Sequence, residues 1–156
     1  MNWDMLRGWL GTCETSHVPS CVPQTATFFF PFRVIDVFEY KVVTNPRNHR
    51  YAALSYVWGA APMLKPMRSN MQMLSQRGAL GPSSTFSPPV PLTIQDAITV
   101  CQNMGLRFLW VDALCIIQDS DKDKGQQIGA MDKIYGSASL TIVVSSCLSI
   151  YARPFC

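Results

Sequence analysis

The sequence predicts an α/β fold in which a mostly parallel sheet is flanked by helices. Three observations predict it. Phe108–Val111 is a short, unbroken apolar run, as expected of a strand covered on both faces. The segment before it carries a helical apolar stripe that stops at Gly105, and helix followed by buried strand is the rhythm of a parallel sheet. The segment after it, Ser120–Tyr135, is again helical in pattern and leads into a second apolar run, Leu140–Val144.

Length and composition bound the reading. The chain has 156 residues, which suits one domain, and 48% are hydrophobic against 15% charged, enough for a core under a thin charged surface. A formal net charge of +3, with no Lys/Arg cluster interleaved with aromatics, excludes a nucleic-acid binder. No run reaches membrane-spanning length; Leu140–Tyr151 is apolar but short and broken by serines. Asp4 and Arg7 stand where a signal peptide needs an apolar core, so a cytoplasmic location is expected. The six cysteines are then expected reduced.

In chain order, residues 1–31 read as a leader segment, 32–146 as the domain and 147–156 as an irregular tail. In the leader, Thr27–Phe30 is aromatic, suited to packing across the sheet or in an interface. Arg33–Val43 alternates and is rich in β-branched residues, which predicts one strand with Asp36 on the wetter face. Thr44–Arg50 holds Asn-Pro and reads as a turn, and Tyr51–Val57 as the next strand. Ala60–Pro91 is a long connection with six prolines; Lys65–Arg77 could form a short helix, and Gly78–Pro91 has the composition of a lid or a disordered insertion. Thr93 and Asp96 match a capping pattern that opens a helix with Ile94, Ala97, Ile98 and Cys101 as its buried stripe. Ser120 and Asp123 repeat that pattern, with Ile128, Met131, Ile134 and Tyr135 on one face; Gly125 and Gly129 each weaken this helix by roughly 1 kcal/mol.

The candidate site lies in Phe108–Asp119, FLWVDALCIIQD, because ligands of open α/β sheets sit beyond the carboxyl ends of strands. Asp112 ends the buried run, and a carboxylate there needs a partner or a solvated mouth. Cys115, Gln118 and Asp119 follow within one turn-like segment. The alternative is that Asp112 caps a turn and the rest is packing. At the end of the preceding strand, Gly59 can take backbone angles that let a loop turn sharply or a ligand come close.

Three other motifs weigh against themselves. Asp119, Asp121 and Asp123 have calcium-loop spacing, yet Lys124 and Ala130 replace the glycine and the bidentate glutamate that such a loop needs. Cys115 as a nucleophile lacks a placed base, the only histidines being His17 and His49, and reads as a small buried hydrophobe. Cys13, His17 and Cys21 form C-x3-H-x3-C, but no nearby residue supplies a fourth ligand; only His49, Cys101 or Cys115 could do so from a distance. No metal is expected there.

Four blocks in order, YAALSYVWG (Tyr51–Gly59), PLTIQDAI (Pro91–Ile98), LWVDALCIIQD (Leu109–Asp119) and Met131, Tyr135 with Ala138, resemble the fungal heterokaryon-incompatibility domain, the HET domain. Arg33–Val37 resembles the strand that often precedes it. The resemblance implies non-self recognition and programmed cell death, a cytoplasmic module, and partners that are further copies or other incompatibility proteins. The HET domain is in turn similar to the TIR domain, which implies a flavodoxin-like, TIR-like sheet. That second likeness implies a ligand site at Ser55, Tyr56, Trp58 and Gly59 with Cys115, Gln118 and Asp119. It also implies catalytic positions at Asp112 and 127, and NAD as the substrate; no resident cofactor is implied. A carboxylate beside the ribose would stabilise the positive charge that develops as the nicotinamide bond breaks. Here Gln127 stands where the family usually has glutamate, and Lys124 where it has tryptophan. A neutral amide cannot supply that charge, so low or no cleavage is expected. The family pattern also continues past Val144, and Ser145–Cys156 does not resemble the continuation; a truncated sheet, and with it a non-functional fragment, is a further expectation.

Overall fold

The computed structural model describes residues 1–17, 21, 27–46 and 50–144. In chain order the elements are α1 (Trp3–Ser16), β1 (Arg33–Asp36), β2 (Lys41–Thr44), β3 (Tyr51–Tyr56), α2 (Met71–Leu74), α3 (Leu92–Met104), β4 (Phe108–Trp110), α4 (Asp112–Cys115), α5 (Asp121–Ile128), α6 (Met131–Gly136) and β5 (Leu140–Val144). One five-stranded sheet runs in the order β2-β1-β4-β3-β5. The β4–β3 and β3–β5 pairs are parallel; β2–β1 and β1–β4 are antiparallel. The architecture is α/β as expected, but the sheet is mixed rather than mostly parallel.

The reason lies in Arg33–Val43. That run is two strands, not one. Asp36 ends β1 by accepting the amides of Phe38 and Glu39 on one carboxylate oxygen, both at 3.1 Å, and Tyr40 closes the turn at φ 50°. The chain then folds back as β2, pairing Ile35 with Val42. Asp36 is not on a wet face: it is 2% exposed, and its other oxygen takes Arg107 Nε at 2.9 Å. A buried carboxylate with three donors is satisfied, and the hairpin supplies two of them.

The parallel half follows the sequence more closely. Between β3 and β4, α3 buries Ile94, Ala97, Ile98, Cys101 and Met104. Its end is fixed by Gly105 at φ 72°, a left-handed cap. Its start departs from the expected capping box: Pro91 is the N-cap, with no side-chain cap bond, and Thr93 is buried. The long connection is pinned rather than loose, since Gly78 and Leu80 donate to the carbonyls of Glu39 and Tyr40, both at 2.8 Å. Helix forms there only over Met71–Leu74.

The helix expected over Ser120–Tyr135 is two helices. Ser120 caps α5, its hydroxyl accepting the Asp123 amide at 3.4 Å. The break comes at Gly129, where an added Cβ would lie 2.9 Å from the Gly125 carbonyl. Because of it, Ile128 is 56% exposed, and Asp123 and Gln127 are the residues α5 buries. Helix α1, within the segment read as a leader, packs on α3 and has no fully buried residue. The irregular tail falls outside the described residues.

Candidate functional site

The pairing register places the carboxyl ends of β3 and β4 side by side, with Ala53 opposite Trp110. Asp112 follows β4 directly and opens α4. Its Oδ1 accepts Trp58 Nε1 at 3.1 Å, from the loop after β3, and the amide of Ala113 at 2.7 Å. Burial raises the Asp112 pKa, and these two bonds oppose the rise only in part. Lys65 Nζ stands 5.8 Å from the centre of the Trp58 ring, so one face of that indole already carries a cation. Tyr135, from α6, completes the cluster: its hydroxyl donates to the Leu54 carbonyl at 3.3 Å, and its ring meets Trp110 edge-on at 5.5 Å. Burial first, and the Asp112 charge next, raise the Tyr135 pKa.

The remaining expected residues fall in three groups. Ser55 and Tyr56 end β3 beside this cluster, half-buried, and Gly59 is exposed just beyond it. The Gln118 backbone amide and the Asp119 carboxylate turn toward the long connection, while the Gln118 side chain stays on its own segment and reaches the Asp112 carbonyl at 3.5 Å. The Gln118 amide donates to the Pro66 carbonyl at 2.8 Å, its side chain caps the Ile116 carbonyl at 3.0 Å, and Asp119 accepts the Arg68 amide at 2.9 Å. Cys115 is fully buried, and burial pushes its thiol up to about 12. It is a packed core residue, with no thiolate to offer at neutral pH.

Gln127 stands apart. It is 0% exposed, and its Nε2 donates to the Pro31 carbonyl at 2.9 Å. Its Oε1 is buried with no hydrogen-bond partner. One turn earlier on the same face of α5, Asp123 pairs with Arg33 and accepts the Ile117 amide at 2.8 Å. Arg33 also donates through Nε to the Cys115 carbonyl at 2.9 Å. This buried ion pair ties α5 to β1 and to the end of α4, and sequence reading missed it. The signal was there: an arginine opening an apolar strand must find an anion if it is buried. Tyr135 stands in the sequence as part of a helical face and of the fourth family-like block; that its hydroxyl would seek a partner beside the site is the signal that could have added it.

What the cluster can do follows from its groups. A carboxyl whose pKa is raised by burial, an indole and a phenol meet at the carboxyl ends of two parallel strands, with the indole N–H donating to Asp112 and the phenol to the Leu54 carbonyl. No basic side chain neighbours Asp112 among its described partners. Elsewhere among the described residues, an open cleft of about 230 Å³ lies against Met73, Gln76–Ala79 and Ser83–Phe86, away from this cluster.

Comparison with known proteins agrees with the four sequence blocks. The family model described as heterokaryon incompatibility protein (HET) matches residues 51–150. Heterokaryon incompatibility protein 6, OR allele, of Neurospora crassa is 27% identical over 103 residues, covering 60% of this chain and 14% of that protein. The chain thus spans a small part of the length of that relative. No solved structure matches it. No described helix is long and apolar enough to cross a membrane. With the family match running from β3 through the Asp112 cluster and past β5, the chain belongs to the heterokaryon incompatibility (HET) family.

Proposed function

We propose that this chain acts in fungal heterokaryon incompatibility as a non-catalytic module that signals toward cell death by associating with copies of itself. The observation that carries the reading is the β5 edge. Among the described residues β5 pairs only with β3, and Val143 on it is 68% exposed. Val57, just past the end of β3, is 75% exposed. An edge strand with one neighbour among the described residues and an exposed valine is a template for another chain. The burial of Gln127 against Pro31 supports the non-catalytic half of the reading.

A second reading, cleavage of NAD, is favoured by Asp112, whose raised pKa and place beside Trp58 suit a ligand pocket. One experiment separates the two. Sedimentation velocity over a concentration series is run on the chain and on Val143→Lys, with NAD consumption measured in parallel. Association that is lost in Val143→Lys, without turnover in either protein, is expected. A chain that stays monomeric and turns over NAD in an Asp112-dependent way overturns the proposal in favour of the second reading.

A further inference from the structure

Cys13, His17 and Cys21 lie on α1 and the turn after it, away from the Asp112 cluster. Cys13 and His17 are four residues apart at the end of the helix, so their side chains leave the same face. The Cys21 amide donates to the His17 carbonyl at 3.1 Å, and the second thiol lies beside the first two donors. The three donor atoms all lie within 4.8 Å of one another, and Cys21 Sγ is 3.9 Å from His17 Nδ1. Zinc bonds of roughly 2.3 Å to sulfur and 2.0 Å to nitrogen, at tetrahedral angles, put donors ~3.5–3.8 Å apart. The donors already stand close to those separations. Glu14 is already held by Arg50 through both carboxylate oxygens, at 2.7 and 2.8 Å, which leaves the three donors as the set.

We propose that Cys13, His17 and Cys21 bind one thiophilic divalent cation, zinc by preference, with its fourth position open to solvent. Two sulfurs and one imidazole nitrogen favour zinc over magnesium or calcium, which take oxygen ligands. His17 and Cys21 are exposed and Cys13 is half-buried, so an ion has a way in and a water can complete the tetrahedron. Each thiol gives up its proton to solvent as it ligates. The bound ion would clip the end of α1 to the turn that follows. The missing fourth protein ligand, which argued against a metal in the sequence, is a requirement of closed structural sites and not of open ones.

The test is a cobalt titration of the full-length chain, reduced and metal-free. One equivalent is expected to bring up thiolate-to-cobalt charge-transfer absorption and the intense visible bands of a tetrahedral ion, and one equivalent of zinc to bleach them. The double variant Cys13→Ser/Cys21→Ser, which keeps the other four cysteines, is expected to lose the charge-transfer absorption altogether. His17→Gln is expected to bind zinc about tenfold more weakly or worse, a loss that disturbing even an outer-sphere partner can cause. Circular dichroism of the variants checks that α1 and the fold persist. Charge-transfer bands that survive in the folded double variant overturn the site. So does a reduced wild-type chain that takes up no cobalt, even if Cys13 and Cys21 pair as a disulfide in air.

Discussion

Asp112 is held by two donors and penalised by its own burial, and the two effects separate on substitution. Asparagine keeps an acceptor for Trp58 Nε1 and the Ala113 amide while removing the charge; alanine removes both. Asp112→Ala should therefore lose about 1–3 kcal/mol through the stranded donors, and Asp112→Asn should be near neutral at pH 7. The pH dependence has a definite sign. Burial raises the folded pKa, so the native chain holds its proton to higher pH than the unfolded one. The Asp112 contribution to stability is then greatest in acid, falls as pH rises through the raised pKa, and is flat above it. Urea midpoints across the acid range should show that fall in the wild type and lack it in Asp112→Asn. Gln127 makes the opposite case. Gln127→Glu puts a carboxylate where no water reaches, one turn from Asp123, which already occupies Arg33. A loss on the order of 3 kcal/mol is expected at neutral pH, easing as acid protonates the new group. No NAD turnover should appear under conditions where near-ultraviolet circular dichroism shows the variant folded. Turnover that did appear would put position 127 in a catalytic pocket. Burial of this residue was not legible in the sequence, because a glutamine in a polar helix looks solvated until the break at Gly129 fixes which face turns inward. Asp112 was legible, because a carboxylate ending an apolar strand stands out.

At the scale of elements, α3, β3, β4 and β5 lie close to the segments expected from the sequence, whereas the periodic runs Arg33–Val43 and Ser120–Tyr135 each divide into two elements where side-chain bonds or a glycine end them. Helix α3 has its stripe and its glycine stop in the sequence. Gly105→Ala should cost about 1–2 kcal/mol, since an L side chain at φ 72° is strained although open space surrounds it. Gly129→Ala is strained for a different reason: its Cβ would sit 2.9 Å from a backbone carbonyl, which cannot swing aside as a side chain can. Thermal melts of the two variants should both shift down, and only Gly129→Ala should alter the α5–α6 junction, read as changed near-ultraviolet signal from Tyr135 and Trp110. The β1–β2 hairpin escaped the sequence reading because nothing in RVIDVFEYKVV looks like a turn. Asp36 makes the turn by taking two amides, a bond that competes with the strand pattern and is invisible to periodicity.

At the scale of the molecule, the antiparallel hairpin on one side of β4 and the parallel pair on the other leave the protein with unequal halves. The centre, where β4 lies between β1 and β3, is sealed: Leu109, Trp110 and Val111 are 0% exposed, as are Val34 and Ile35 in β1 and Ala52 and Ala53 in β3. Helix α1 is attached differently. It has no buried residue and touches the body through half-buried Trp3, Leu6 and Leu10, an Arg7 bond to the Asn103 carbonyl, and the Glu14–Arg50 pair. Ion pairs this exposed are each worth about 0–1 kcal/mol. Opening α1 therefore exposes little apolar surface and breaks little else, whereas opening β4 requires unfolding the core. Native-state hydrogen exchange should resolve two units: α1 amides exchanging through a low-energy opening insensitive to mild urea, and the amides of α3, β3 and β4 exchanging only with global unfolding. Added salt should lower protection in α1 and leave the core unchanged. If α1 instead exchanged with the core, its half-buried apolar face would be holding it far more firmly than its exposure suggests, and the leader would have to be counted as part of the domain.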